Sequence, residues 1–176
     1  MQDFEQFLAG IERKAFKMAQ MAVQNQADAL DIVQDAMMKL ASSYADRPAE
    51  EWKPLFYRIL ENCIYDFHRK ETRRKTWFSW LKPANDEDQD DLPDDDAIAD
   101  HDDAPHEVIA VEQLTQALID VVETLPLQQQ QCFLLRSWEG MSVKETAAAM
   151  NITEGSVKTH LSRAMQKIQQ VMNETA

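Results

Sequence analysis

One acidic segment limits how this chain can fold. Residues 83–107 carry 12 Asp and Glu residues and no Lys or Arg, and they include three of the six prolines. A segment of this composition cannot bury enough apolar surface to offset the entropy cost of folding. We therefore expect a flexible linker at 83–107 between two folded parts, residues 1–82 and 108–176. The carboxylates either keep this spacer extended in solvent or occupy a basic groove on a partner.

The same segment accounts for the charge of the chain. A formal net charge of −13 would normally count against a nucleic-acid partner, because DNA repels an acidic surface. However, the linker alone contributes −12, and residues 67–82 hold six basic residues and one acidic residue. The two folded parts are therefore close to neutral, with locally basic edges, and a nucleic-acid partner stays possible.

The rest of the composition favours a helical protein of a reducing compartment. Only three glycines argue against a turn-rich β fold, and an apolar fraction of 44% suffices for packed cores. Cys63 and Cys132 are far apart, and no Cys/His cluster predicts a zinc site. The N-terminus has no basic start and no apolar run, and no stretch is long enough to span a bilayer. We expect a cytoplasmic protein without metal or cofactor.

Three helices are predicted in the first part. The first has apolar residues at helical spacing: Phe4, Leu8, Ile11, Ala15, Met18 and Ala22. The second begins near Asp28, as N-cap, and its apolar face consists of Ile32, Val33, Ala36, Met37 and Leu40. A loop at 42–51 precedes the third helix, which starts around Trp52 or Pro54. That helix buries Phe56, Ile59, Leu60, Cys63, Ile64 and Phe67, and then continues into a basic stretch.

The second part predicts a helix-turn-helix motif. A helix with Val111, Leu114, Leu118, Val121, Val122 and Leu125 comes first, and a short helix at 127–138 follows Pro126. Gly140 suits the left-handed position that stops a helix, and Ser142 with Glu145 forms a capping box for the next one. Asn151 tolerates the positive φ of a sharp turn, and Thr153 caps the last helix. This layout places a recognition helix in the major groove.

The last helix has two chemically different faces. Val157, Leu161, Ala164, Ile168 and Val171 share the side expected in the core. The opposite side presents Gly155, Ser156, Thr159, Ser162, Arg163 and Gln166, flanked by Lys158, His160 and Lys167. Short hydroxyl side chains can approach base edges, while Arg and Lys reach phosphates or guanine.

Both parts resemble one family. The stretch 125–136 together with the helix-turn-helix is similar to region 4 of bacterial sigma factors of the sigma-70 family, in the extracytoplasmic-function (ECF) group. Independently, residues 28–35 resemble the region 2.2 signature that docks on core RNA polymerase, and 55–62 and 66–70 resemble regions 2.3 and 2.4. The resemblance implies an all-α protein, with two small helical domains joined by the acidic linker, that is not an enzyme.

The resemblance also implies the contacts of each domain. Residues 1–82 would bind polymerase and the −10 element, and residues 108–176 would read the −35 element. The implied DNA-binding residues are Asn62, Asp66, Arg69, Arg73, Arg74, Arg136, Ser156, Lys158, Thr159, Ser162, Arg163 and Lys167. Asp31, Gln34 and Asp35 would face the polymerase clamp, with the flap as a further polymerase contact. The linker would thread toward the RNA exit path, and an inhibitory anti-sigma factor is expected.

Some interpretations stay open. Tyr44 and Trp52, in or beside the loop that would hold a flipped base, could stack on that base or pack in the core. The stretch 77–81, Trp-Phe-Ser-Trp-Leu, is expected to cover the core rather than to extend the DNA-facing surface. The alternative function is a helix-turn-helix regulator that is not a sigma subunit. It would require a ligand pocket or phosphoacceptor domain in residues 1–82, of which the sequence gives no sign.

Overall fold

The computed structural model describes residues 2–81 and 106–175. Within these ranges every regular element is a helix, so the predicted all-α class is confirmed. The segment predicted as a linker lies outside the described residues, except for its last two positions, which belong to a helix. The described helices do not contain a membrane span, because none combines sufficient length with sufficient apolar character.

The first two helices form as their apolar periodicity predicts. Helix α1 spans Gln2–Val23 and helix α2 spans Gln26–Tyr44, and both turn their predicted apolar faces inward. The predicted N-cap at Asp28 is wrong. Asn25 caps α2 instead, because its side chain accepts a hydrogen bond of 2.9 Å from the Asp28 backbone N–H. Asp28 thus lies in the first turn of α2, where its negative carboxylate interacts favourably with the positive N-terminal end of the helix dipole.

Helix α3 is longer than the sequence pattern suggests. It spans Ala49–Leu81, so the predicted loop at 42–51 shrinks to four residues. Glu50 and Glu51 favour a helix start upstream of the proline, and Pro54 removes one backbone hydrogen bond without ending the helix. Phe56, Leu60 and Ile64 are fully buried against α1 and α2. The N-terminal half of α3 therefore completes a three-helix core, and its C-terminal half continues beyond that core.

The second part consists of four α-helices and a π-helical turn. Helix α4 spans His106–Thr124, α5 spans Leu127–Phe133, and the π-helical turn spans Leu134–Trp138. The predicted single helix at 127–138 is thus divided into two kinds of helix. Helix α6 spans Val143–Met150, and α7 spans Glu154–Thr175. Helices α4, α5 and α6 all pack on α7.

The two parts pack against each other. Helix α6 lies on α3, and α5 and α4 lie on α1, so that the buried residues form one continuous core. Gln130 is almost fully buried at this junction, and its side-chain amide donates to the carbonyl oxygens of Met21 at 3.2 Å and Val122 at 3.1 Å. One buried amide therefore bridges the two parts of the chain.

Candidate nucleic-acid interface

The helix-turn-helix forms as predicted. The Ser142 hydroxyl accepts a hydrogen bond from the Glu145 backbone N–H at 3.0 Å, and the Glu145 carboxylate accepts one from the Ser142 N–H at 3.1 Å. Asn151 ends α6 in the left-handed region, with φ of 55° and ψ of 46°. Gly140 also has a positive φ, of 67°. The two residues with positive φ, Gly140 and Asn151, and the capping box together fix the direction of α6 and the turn that follows it.

The start of α7 is fixed by a second cap. The Thr153 hydroxyl oxygen accepts a hydrogen bond of 3.1 Å from the backbone N–H of Ser156, and the same hydroxyl donates to the Ser156 hydroxyl at 2.9 Å. Val157, Ala164 and Ile168 are buried, and Ile152 packs against them from the turn. The predicted core face of the last helix is therefore confirmed.

The opposite face of α7 is open to solvent. It presents Lys158, Thr159, Ser162, Arg163, Gln166 and Lys167 as exposed residues, with Ser156 half-buried. The Thr159 hydroxyl donates to the Gly155 carbonyl oxygen at 3.1 Å, while Arg163 has no ion pair among the described residues. This face has the shape and chemistry to enter a major groove, with hydroxyls near the helix start and cations further along.

Arg136, the predicted phosphate contact before the motif, turns inward. It is half-buried in the π-helical turn, and its guanidinium donates to the Met141 carbonyl oxygen. This hydrogen bond braces the loop that leads into α6. Phosphate binding by Arg136 stays a prediction.

A second polar surface follows the C-terminal half of α3. Asn62, Asp66, Arg69, Arg73 and Arg74 are all exposed, as a DNA-facing role requires. Arg69 forms an ion pair with Asp66, and Arg74 lies 4.0 Å from the Glu71 carboxylate. The basic end of α3 is thus accessible, but two of its three predicted arginines already have acidic neighbours on the same helix.

The aromatic stretch at the end of α3 does not cover the core, contrary to expectation. Trp77, Trp80 and Leu81 are 67%, 85% and 62% exposed. Phe78 is 48% exposed, and the Arg74 guanidinium lies 5.7 Å from its ring centroid. Because α3 continues beyond the three-helix core, these side chains are not covered by the described residues. The aromatic cluster instead continues the basic surface.

The loop residues considered for base stacking are placed differently. Trp52 is buried and makes an edge-to-face contact with Phe4, with ring centroids 5.0 Å apart. Tyr44 is half-buried against the core at the end of α2. In this structure Trp52 is a core residue, and stacking by Tyr44 stays a prediction.

The acidic face of α2 is exposed as predicted. Asp31, Gln34 and Asp35 all reach solvent. The Asp35 carboxylate pairs with the Lys39 ammonium at 2.9 Å and accepts a hydrogen bond from the Cys63 thiol at 3.5 Å. These contacts, led by the hydrogen bond from Lys39, lower the pKa of Asp35. The lowered pKa favours the ionised form of Asp35, and Lys39 compensates part of its charge.

Sequence reasoning missed a cluster of buried carboxyl groups between the two parts. Glu139, at the end of the π-helical turn, has a side chain only 3% exposed and lies near Lys14 and Lys53. Glu61 on α3 is fully buried. In the sequence, the only indication of this burial is the position of Glu61 four residues after Tyr57, on the apolar side of the helix. The described residues include no group of three or more His, Cys, Asp or Glu side chains that could hold a metal ion.

Comparison with known proteins agrees with this geometry. Residues 4–74 match the family model of sigma-70 region 2, and residues 115–168 match that of sigma-70 region 4. RNA polymerase sigma-E factor of Streptomyces coelicolor is 29% identical over 169 residues, covering 96% of this chain and 85% of the relative. The ECF RNA polymerase sigma factor BldN of the same organism is 36% identical over 73 residues, covering 42% of this chain and 28% of the relative.

A solved structure shares the fold. The sigma factor RpoE of Bartonella quintana, in complex with the anti-sigma factor NepR, superposes with a TM-score of 0.65 at 22% identity, covering 98% of both chains. The region 2 match lies in the first helical part, and the region 4 match lies in the second. Together the two matches cover the parts that carry the surfaces described above. The chain therefore belongs to the sigma-70 family of RNA polymerase sigma factors, in its extracytoplasmic-function group.

Proposed function

We propose that this sigma factor gives core RNA polymerase its promoter specificity by reading the −35 element with α7 and the −10 element with the C-terminal half of α3. The open polar face of α7, set at a fixed angle by the Ser142 and Thr153 caps, is the observation that carries the proposal. Caps that fix a helix before binding reduce the ordering cost of docking in a groove.

The two DNA surfaces would work in different ways. On α7, Ser156, Thr159, Ser162 and Arg163 would contact base edges, while Lys158 and Lys167 would contact phosphates. On α3, the exposed arginines would hold phosphates next to Asn62 and Asp66. The DNA chemistry and the RNA synthesis would belong to the polymerase, so no catalytic group is assigned to this chain.

The polymerase would be contacted by the acidic face of α2. Asp31, Gln34 and Asp35 form a row on one side of that helix, and basic residues on the polymerase clamp would complement it. A chain that acts with polymerase and DNA would work in the cytoplasm. By similarity to the RpoE–NepR complex, we also propose that an anti-sigma factor inhibits it.

Run-off transcription tests this function. Purified chain is added to core polymerase on genomic fragments, with core polymerase alone as control. We expect discrete transcripts that depend on the added chain. The absence of any transcript above the control on every fragment would overturn the proposal. The alternative, a regulator that is not a sigma subunit, has no support in the match of residues 4–74 to region 2.

A further inference from the structure

Two tryptophans near the C-terminal end of α3 face solvent. Trp77 and Trp80 are both largely exposed. Neither indole ring contacts another aromatic ring or a cation among the described residues. A packed tryptophan side chain buries roughly 150–250 Å² of surface, so leaving two of them in water forgoes a large stabilisation. Large apolar side chains grouped on an exposed surface indicate a site for a partner.

The two tryptophans share one face of α3 with residues that we propose to contact the −10 element. An α-helix turns by about 100° per residue, so spacings of three and four residues return to the same side. From Asn62 onward the intervals are four, three, four, four and three residues, which places all six positions within an arc of about 80°. We refer to this set as the −10 face. It consists of Asn62, Asp66, Arg69, Arg73, Trp77 and Trp80.

The third exposed ring at this end of α3 belongs to a different side of the helix. Phe78 lies about 100° around the helix axis from Trp77. Its ring is already engaged, because the Arg74 guanidinium lies 5.7 Å from the ring centroid. The exposed aromatic residues therefore form two sets, and only Trp77 and Trp80 extend the −10 face.

The chemistry of the −10 face favours a nucleic-acid strand with unpaired bases. Cations neutralise phosphates, and aromatic rings stack on the face of a base, which neighbouring bases cover in a duplex. A lipid surface would instead require an apolar stripe along the helix. On the −10 face the apolar residues are confined to the end, and the preceding positions, from Asn62 to Arg73, are polar or charged.

The position of the tryptophans indicates which bases they would meet. Trp80 follows Arg73 by seven residues, which is about 10 Å along a helix axis at 1.5 Å per residue. That distance corresponds to about three nucleotides at 3.4 Å each. From this end of α3 the chain continues to region 4, which would read the −35 element, so the tryptophans would face the upstream edge of the −10 element. Melted DNA adjoins duplex at that edge.

We propose that Trp77 and Trp80 stack on unpaired bases at the upstream edge of the melted −10 element, while Arg73 holds the adjacent phosphate. Stacking would oppose re-pairing of the two strands and would hold the upstream end of the melted segment open. The inference rests on the proposed promoter function, because it requires that α3 contacts the −10 element.

Holoenzyme binding to forked −10 DNA, with the three nucleotides upstream of the element unpaired, tests the stacking. Trp77→Ala combined with Trp80→Ala should weaken binding at least about fivefold, the lower limit for one stacked base. The dependence on salt should not change, because no phosphate contact is lost. Phenylalanine at both positions should restore most of the affinity, and leucine should not. Unchanged binding by the alanine variant, or full binding by the leucine variant, would overturn the proposal.

Abasic DNA identifies the partner of the rings. One abasic site is placed in turn at each of the three unpaired upstream nucleotides. On the DNA that lacks the stacked base, the alanine variant should bind less than about twofold more weakly than the wild-type chain, because the two changes remove the same interaction. A loss of full size on all three abasic DNAs would overturn stacking.

Two comparisons test the other occupants of this surface. Phe78→Ala removes an exposed ring outside the −10 face and should weaken binding less than about twofold. A loss equal to that of the tryptophan variant would indicate a general apolar patch and would overturn the proposal. The full chain is also mixed with vesicles of phosphatidylcholine and phosphatidylglycerol. Vesicle binding that is lost in the tryptophan variant, with DNA binding unchanged, would assign the face to a membrane and overturn the proposal.

Run-off transcription separates this inference from the proposed function. Transcripts that depend on the wild-type chain, together with unchanged DNA binding by the tryptophan variant, would remove the stacking role and leave the promoter function. Absence of any such transcript from the wild-type chain would overturn both. We expect the wild-type chain to direct transcripts and the alanine variant to require a higher holoenzyme concentration for the same yield.

Discussion

The two helices that we propose to face DNA, α7 and α3, differ in how many of their cations already form ion pairs within the chain. On α7 the cations Lys158, Arg163 and Lys167 have no ion pair among the described residues. On α3, by contrast, Arg69 pairs with Asp66 and Arg74 lies near Glu71. Region 4 thus presents cations that are free to meet DNA, whereas region 2 must exchange internal partners for DNA. Loss of the internal ion pairs on α3 would offset part of the free energy gained from its DNA contacts. Replacement of one cation by alanine should therefore weaken DNA binding more on α7 than on α3.

Arg163 should show the largest effect. We expect Arg163→Ala to weaken recognition of the −35 element by about 1–3 kcal/mol, which lowers initiation about 5- to 150-fold. Run-off transcription from a promoter that depends on its −35 element measures the loss. Gln170→Ala, at an exposed position further along α7, is the control. Equal activity of Arg163→Ala and the control would remove Arg163 from the reading face.

Within α3 the arginine without an internal partner should matter most. Arg73 has no ion pair among the described residues, whereas Arg74 has Glu71 at 4.0 Å and the Phe78 ring nearby. We expect Arg73→Ala to weaken holoenzyme binding to −10 DNA about fivefold and to lower the salt dependence by about one phosphate contact, with a smaller effect for Arg74→Ala. Salt titrations on forked −10 DNA measure both. A larger effect at Arg74 would show that internal pairing does not weaken the DNA contact.

The same contrast exists on the face of α2 that we propose to contact polymerase. Asp35 shares its charge with Lys39 at 2.9 Å, and Asp31 has no ion pair among the described residues. We expect Asp31→Asn to lower the affinity for core polymerase about threefold and Asp35→Asn to lower it less. Competition for core polymerase against a labelled wild-type chain measures this difference. Equal losses would mean that Lys39 moves away from Asp35 in the complex.

The smallest effect concerns the cap that starts α6. Ser142→Ala should destabilise region 4 by about 1 kcal/mol and lower the melting temperature by a few degrees, because the Glu145 backbone N–H loses its acceptor. Thermal unfolding followed by circular dichroism measures the shift. Ser79→Ala, at an exposed serine near the end of α3, serves as control and should not change the melting temperature.

The sequence predicted the local structure of region 4 more fully than that of region 2. Ser142, Asn151 and Thr153 act through contacts with close neighbours in sequence, and all three have the predicted roles. The predicted start of α3 was wrong because a proline occurs both at the first position of a helix and, as Pro54 does here, within the second turn. The exposure of Trp77 and Trp80 depends on where the core ends, which periodicity alone does not reveal.

The contact between the regions was beyond sequence reasoning for a different reason. Glu61 and Glu139 are acidic residues, which are usually exposed, and each interacts with residues at least 71 positions away in sequence: Cys132 for the first and Lys53 and Lys14 for the second. Within its own region, each carboxylate is an ordinary polar residue. Only the packing of the two regions makes them important.

This shared contact limits how the family's parts can be exchanged. A chimera that joins region 2 of this chain to region 4 of a relative with an apolar residue at position 139 would leave Lys14 and Lys53 without the Glu139 carboxylate, and Lys53 would keep only the backbone carbonyl at that position. Only a region 4 that keeps an acidic residue at this turn would therefore preserve the contact with Lys14 and Lys53.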